Sequence, residues 1–168
     1  MAEKDKIFES EVKHNGIFSL SELYTFCYEW LKDDPGLLIV EDKYSEKLSG
    51  DSKNVDIEWT CMKNVSDYFR EELKVKFKIN NLVKIEVTEA NGNKVKTNKG
   101  TVKISVKGVL VKDYKGKFEE TAFKQWMRGV YEKWIVTARV EQVEDKVRGD
   151  CNSFLEQVKA FLDLEGKK

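Results

Sequence analysis

Residues that carry metal, redox and disulfide chemistry are scarce in this sequence. Among its 168 residues there are one proline, one histidine (His14) and three cysteines, Cys27, Cys61 and Cys151. The cysteines are widely separated and odd in number, so they show neither the paired spacing of a zinc site nor a disulfide framework. The single histidine leaves no second imidazole for a histidine-based metal site. We therefore predict buried thiols, no metal and no cofactor.

Long apolar runs are missing as well. Segments such as residues 37–40 and 134–136 fall far short of the roughly 20 apolar residues that a membrane helix requires. The first six residues lack the basic start and apolar stretch of a signal peptide. No phosphate loop, dinucleotide fingerprint or nucleophile elbow is present. We expect a cytoplasmic protein with no membrane span and no enzymatic activity.

What the chain has in abundance is lysine, concentrated in its middle third. Residues 73–117 carry 12 lysines, 3 acidic residues and no arginine, whereas residues 1–72 carry 9 basic and 17 acidic residues. Residues 118–168 carry 9 basic and 10 acidic residues, and the formal net charge of the chain is zero. Such segregation produces a field that attracts an acidic partner although the total charge is zero.

Residues 19–33 carry the signals of an N-terminal helix. Ser19 is followed three residues later by Glu22, which is the spacing of a capping box. The helix should run to about Asp33, because the Pro-Gly pair that follows cannot continue it.

From residue 37 to residue 114 the hydrophobic period changes to two, which predicts strands with one buried and one exposed face. Apolar and polar residues alternate in four segments, 55–61, 73–79, 83–87 and 102–110. Turn residues at 49–51 and 91–93 predict reversals of the chain. Asn80 and Asn81 predict a bulge, and Gly108 predicts a second bend.

Beyond residue 118 the helical period returns. The apolar stripe comprises Phe123, Trp126, Met127, Val130, Trp134, Val143, Val147, Cys151, Phe154, Val158 and Phe161. Two alternatives remain open, one long kinked helix or two helices that break near Gly149. A continuous helix over residues 120–163 would be about 65 Å long, so part of the stripe must fold back, overhang or meet a second copy of the chain.

These patterns predict an α+β fold in a single domain, residues 1–168. It contains a curved antiparallel sheet of four or five strands, an N-terminal helix, and a long or two-part C-terminal helix packed on one face. The C-terminal helical segment, residues 120–165, packs on the sheet or extends from it.

Five short motifs resemble a small family of archaeal proteins of unknown function. They are YEWLKD at 28–33, DIEW at 56–59, DYF at 67–69, NKG at 98–100 and LVKDY at 110–114. The resemblance covers most of the chain and implies a single compact unit. It implies no particular reaction.

The exposed face of the predicted sheet is the first candidate site. The lysines expected to bind an acidic partner are Lys74, Lys76, Lys78, Lys94, Lys96, Lys99, Lys103 and Lys107. Lysines on strands also protect sheets from edge pairing, and Asp56 and Glu58 are placed to lie beside Lys76 and Lys78 as cross-strand pairs. Without arginine, nucleic acid would be bound through its backbone with no sequence readout.

Three alternatives to this interpretation remain open. The first is a protein partner, including a second copy of the chain, bound through the C-terminal stripe. The second is a carrier of a small apolar ligand or lipid, with a cavity lined by Trp59, Phe77, Trp126 and Trp134. The third is an enzyme that uses an acidic pair such as Glu71 and Glu72, but we expect such pairs to be solvated.

Overall fold

The chain folds into a five-stranded antiparallel sheet with helices packed against it, as seen in a computed structural model that describes residues 3–33, 36–66, 68–112, 122–130 and 137–165. The elements are β1 (Glu3–Phe18), α1 (Leu20–Asp33), β2 (Leu38–Ser49), β3 (Ser52–Asn64), β4 (Phe69–Thr88), β5 (Lys94–Lys112), α2 (Ala122–Val130) and α3 (Thr137–Glu165). The strand order is β1-β5-β4-β3-β2, so β1 and β2 form the edges. The predicted α+β fold is confirmed.

Strand β1 is the element that the sequence pattern did not predict. It pairs antiparallel with β5 along its whole length, and it precedes the helix that we expected to come first. Its alternation is weak because polar Ser10 and His14 interrupt the positions of Phe8, Val12 and Phe18 on the face toward the helices.

Helix α1 begins as its capping residues predict. The Ser19 hydroxyl oxygen accepts a hydrogen bond from the amide of Glu22 at 3.3 Å, and the Asn98 side-chain oxygen accepts one from the amide of Leu20 at 3.2 Å. These acceptors satisfy two of the four amides that a helix start leaves without intrahelical partners. The helix ends at Asp33, the predicted residue.

The α3 part of the C-terminal stripe is buried against the sheet and α1. Val143, Val147, Cys151, Phe154 and Val158 are all at most 3% exposed. The Phe161 ring stacks on the Phe26 ring of α1 with centroids 4.7 Å apart, which joins the two helices. This burial leaves the α3 stripe unavailable to a protein partner.

One of the two alternatives left open for the C-terminal stripe, two helices that break near Gly149, is wrong. Gly149 lies inside α3, is exposed, and would have no atom within 4 Å of an added Cβ. A glycine on the outer side of a packed helix creates no gap in the core, so the burial of the opposite side holds the helix together. Residues 131–136, which separate α2 from α3 in the chain, lie outside the described residues.

The two predicted turns are confirmed. Gly50, between β2 and β3, has a φ of 63°, and Gly92, between β4 and β5, has a φ of 85°. Glycine adopts this left-handed conformation without the steric cost that a side chain adds. The turns fix the pairing of β2 with β3 and of β4 with β5.

The predicted bulge at Asn80 and Asn81 is also confirmed. The register moves from Asn80 opposite Thr101 to Val83 opposite Lys99, so β4 contains one extra residue. Asn81 adopts a left-handed φ of 56°. Its amide donates a hydrogen bond to the side-chain oxygen of Asn54 at 3.0 Å, which anchors the bulge to β3.

The extra residue reverses the faces of β4 beyond the bulge. Before it, even-numbered residues such as Lys78 point away from the helices. After it, odd-numbered residues such as Val83 take that face, while Lys84 and Glu86 turn toward the helix side. Our expectation that residues 83, 85 and 87 share the buried face of residues 73–79 is therefore wrong.

Asn81→Val should destabilise the protein by about 1–2 kcal/mol, because a β-branched residue is strained at positive φ. Asn80→Val provides a matched control, since Asn80 does not have a positive φ. Urea unfolding of both variants measures the two changes in the free energy of unfolding. Equal losses at the two positions would show that the left-handed conformation of Asn81 is not maintained.

Candidate binding face on the sheet

The lysines of the two central strands lie on the sheet face opposite the helices. Lys74 is directly opposite Lys107, and Lys78 is directly opposite Lys103. The residues that alternate with them, such as Phe77, are buried in the core. The candidate set of the sequence analysis is therefore largely gathered on one surface.

Strand β1 adds a lysine that the sequence analysis missed. Lys13 lies directly opposite Lys103, which in turn lies opposite Lys78, so three lysines cross three neighbouring strands in one row. The signal for Lys13 was its place in the weak alternation of residues 9–14. We use the name lysine face for seven lysines of this surface that lie on β1, β4 and β5: Lys13, Lys74, Lys76, Lys78, Lys99, Lys103 and Lys107.

Lys94 and Lys96 do not belong to the lysine face. They occupy even-numbered positions of β5, whereas Lys99, Lys103 and Lys107 occupy odd-numbered ones. Successive residues of a strand point to opposite faces, so Lys94 and Lys96 lie on the helix side. The eight predicted lysines are thus divided between two surfaces.

Carboxylates border the lysine face on both sides. From β1, the Glu11 carboxylate is 3.1 Å from Lys103 Nζ, and from β3, the Glu58 carboxylate is 3.8 Å from Lys76 Nζ. The expectation that Asp56 and Glu58 lie beside Lys76 and Lys78 is confirmed. Glu58 pairs with Lys76, and Asp56 lies directly opposite Lys78. Lys103 has an acidic neighbour that we did not anticipate, because β1 was not predicted as a strand.

The fourth carboxylate, Glu9, is stabilised in its charged form by several lysines. Its pKa is lowered mainly by a hydrogen bond from Lys6 at 2.9 Å, with a further contribution from Lys107. Glu9 lies directly opposite Lys107 in the sheet. The middle of the lysine face is therefore balanced by its acidic borders.

A surplus of positive charge remains at the end of the face nearest the bulge. The lysine face holds seven lysines, against four carboxylates in the neighbouring positions of β1 and β3. Lys13, Lys78 and Lys99 form no ion pair with any residue in the described ranges. Among the described residues, Asp56 is the one carboxylate directly opposite any of these three lysines, so this end attracts anions more strongly than the middle of the face.

Of the residues predicted to line an apolar cavity, Trp59 and Phe77 meet in the core, whereas Trp126 is exposed. Trp59 and Phe77 are 1% and 2% exposed, and their rings are in direct edge contact with centroids 4.8 Å apart. Trp126, on α2, is 64% exposed. Trp134 lies outside the described residues. Trp59 and Phe77 thus act as core residues that support the sheet.

No protein-family model, curated protein or solved structure matches this chain. The resemblance to an archaeal family accordingly stays a prediction, and the chemistry of the surfaces is the basis for inferring a function. None of the helices that the structure describes is long and apolar enough to cross a membrane.

The acidic pair Glu71 and Glu72 is split between the two faces of the sheet. The Glu72 carboxylate lies 3.7 Å from Lys4 Nζ, whereas the Glu71 side chain is fully buried beneath α3. Lys146 of α3 donates a hydrogen bond to Glu71 at 3.1 Å and also contacts Asp150 at 3.4 Å. The expectation that both carboxylates are solvated is wrong, because Glu71 is fully buried and Glu72 is only 7% exposed.

Burial, followed by the nearby Asp150 carboxylate, raises the pKa of Glu71 to about 7. Lys146 opposes this shift but does not cancel it. The second carboxylate oxygen of Glu71, Oε1, has no hydrogen-bond partner among the residues described, so a proton there would relieve its burial. Glu71 is therefore a buried ionisable group whose charge is poorly compensated.

The three cysteines are buried and free, as predicted. Burial raises the pKa of Cys61 and Cys151 to about 12 and that of Cys27 further still. A thiol with such a pKa is not a nucleophile at neutral pH. Within the described ranges, no three His, Cys, Asp or Glu side chains cluster in a way that would hold a metal ion.

Proposed function

We propose that this chain is a non-enzymatic binding module that attracts an acidic macromolecule through its lysine face. The observation that supports this most directly is the row of Lys13, Lys103 and Lys78, with Lys99 beside it at the bulge end. Like charges directly opposite each other in a sheet are destabilising. A bound polyanion would neutralise them.

A partner held by lysine alone is bound through charge and not through base identity. Ammonium groups are mobile point charges, whereas two-point reading of guanine requires the planar guanidinium of arginine. We therefore propose a polyanion such as a nucleic-acid backbone, without sequence preference. We also propose a cytoplasmic location, where free thiols such as those of this chain persist.

Binding of a single-stranded thymidine homopolymer, measured by fluorescence anisotropy over a salt series, tests this proposal. The logarithm of the association constant should fall linearly with the logarithm of the salt concentration, with a slope of about −0.7 for each phosphate neutralised. Replacing Lys78 and Lys99 together by glutamine should reduce the slope by about 1.4. At 0.1 M salt the affinity should fall by about twentyfold.

The double variant Lys32→Gln with Lys159→Gln is the matched control. It removes the same charge from exposed positions on α1 and α3, away from the lysine face. This control should retain the wild-type slope. An equal loss in both double variants, or an absence of salt-dependent binding at low ionic strength, would refute the proposal.

A further inference from the structure

The opposite side of the sheet carries a cleft at the start of α1. It consists of two adjoining cavities of about 410 and 590 Å³, which share Ser21, Lys84 and Asn98 as lining residues. Sites for small molecules commonly have volumes of about 300–1,000 Å³. The cleft is therefore large enough for a compound with two chemically distinct parts.

The first cavity has an apolar and aromatic wall. Leu20 and Leu82 line it together with the rings of Tyr24 and Tyr44, which meet edge to face with centroids 6.4 Å apart. The ring orientations are fixed, because the Tyr24 hydroxyl donates a hydrogen bond to Glu41 at 2.8 Å and the Tyr44 hydroxyl donates one to a neighbouring carboxylate at 2.9 Å. Aromatic walls of this kind accommodate a planar ring.

The second cavity is lined by two lysines, Lys84 and Lys96, and by one carboxylate, Glu86. Lys53, in the first cavity, is neutralised by Glu46 at 3.1 Å. Lys84, at the junction, and Lys96, in the second cavity, form no ion pair within 4 Å with a residue in the described parts of the chain, although Glu86 lies directly opposite Lys96 in the sheet. The amides of Leu20 and Glu22 at the helix start already have acceptors, so the lysines supply the anion-attracting charge.

Two ammonium groups that form no ion pair can both donate hydrogen bonds to the oxygens of one phosphate monoester. Such a group carries between one and a half and two negative charges at neutral pH. It also presents three acceptor oxygens, which is enough for both ammonium groups. The Asn98 side chain lines both cavities beside Lys84 and adds polar capacity at the junction.

We propose that this cleft binds a small phosphorylated compound with a planar ring. The phosphate group lies at Lys84 and Lys96, and the ring lies against Tyr24 and Tyr44 in the first cavity. The site shares no residue with the lysine face, so it is independent of the function proposed above. Each of the two proposals can fail without the other.

Calorimetric titration of the full chain with adenosine 5′-monophosphate, adenosine and inorganic phosphate tests the proposal. The monophosphate should bind at least tenfold more tightly than adenosine or phosphate, because only it fills both parts of the cleft. Lys84→Gln should weaken monophosphate binding by at least tenfold. Thr25 occupies an exposed helical position that lines the first cavity, so Thr25→Phe should fill the space of the adenine ring and also weaken binding.

Lys32→Gln serves as the control, since it removes a lysine from the far end of the same helix. It should bind the monophosphate as the wild type does, and thermal unfolding should show that all three variants are folded. Absence of monophosphate binding at millimolar concentration would overturn the proposal. Inorganic phosphate binding as tightly as the monophosphate, or an equal loss of affinity in Lys32→Gln, would also overturn it.

Discussion

Replacing Glu71 by glutamine should stabilise the protein at and above neutral pH, by up to about 3 kcal/mol more than at pH 4.5. The Glu71 side chain is fully buried, and its pKa is raised from the ordinary 4.5 to about 7. The folded protein thus holds this proton more tightly than the unfolded chain does. Stability from this group is complete below pH 4.5 and is lost as the pH rises to about 7.

Glutamine imitates the protonated carboxyl group at this position. Its carbonyl oxygen can accept the hydrogen bond from Lys146, and its amide can donate toward Asp150, so the contacts of the buried group are kept without its charge. Urea unfolding of the wild type and Glu71→Gln across pH 4.5 to 8 measures the difference in the free energy of unfolding. The loss of stability that ionisation of Glu71 causes as the pH rises should be seen in the wild type and be absent from Glu71→Gln.

Glu72→Gln is the control, because it makes the same substitution one position along the strand on the opposite face. The Glu72 carboxylate lies 3.7 Å from Lys4 Nζ, whereas Lys146 of α3 pairs with Glu71. Relative to the wild type, Glu71→Gln should become more stable as the pH is raised from 4.5 to 8, whereas Glu72→Gln should not. A difference between Glu71→Gln and the wild type that does not change with pH would contradict the expectation.

Gly108→Ala should destabilise the protein by about 1–3 kcal/mol, the usual cost of overpacking a core. A Cβ atom at this position would lie 2.8 Å from Cys151 Sγ and 2.9 Å from Val147 Cγ1 on α3. Gly108 therefore allows close contact between the helix and β5. The bend that we predicted at Gly108 stays a prediction. Opposite Gly108, the register of β1 shifts between Lys6 and Phe8.

Combining Gly108→Ala with Cys151→Ala should recover part of the lost stability, because the smaller residue removes the closest atom. A double-mutant cycle measured by urea unfolding gives the coupling energy between the two positions. Gly149→Ala is the control for replacing glycine by alanine. Gly149 lies in α3, the helix of Cys151, but a Cβ added to it would have no atom within 4 Å. This replacement should stabilise α3 by about 0.5–1 kcal/mol. Additive effects of the changes at positions 108 and 151 would exclude the proposed contact.

Local signals predicted α1 and the turns because each depends on a few neighbouring residues. The Ser19 cap and the glycines at 50 and 92 act through the backbone within a few positions, so sequence spacing is sufficient to identify them. Strand β1 could not be identified in this way. Its polar Ser10 and His14 are placed by pairing with β5, nearly a hundred residues later in the chain.

The lysine face and the cleft could not be fully predicted from the alternation of apolar and polar residues alone. The sequence indicated a bulge at Asn80 and Asn81 but not how many residues it inserts, so the face of every later residue in β4 was uncertain. The lysine face could be predicted in part, because Lys74, Lys76 and Lys78 precede the bulge. The cleft at Lys84 could not, because it requires both the reversed strand and the start of α1.

Lys74, Lys76, Lys78 and Lys84 are all even-numbered residues of one strand, and a regular β4 would have presented them side by side. The single additional residue distributes them instead, three to one surface and one to the other. Deleting that residue would move Lys84 to the surface that carries Lys74, Lys76 and Lys78. It would also remove the lysine at the junction of the two cavities. The length of β4 therefore determines how the lysine charge is divided between the two surfaces, although the number of lysines stays the same.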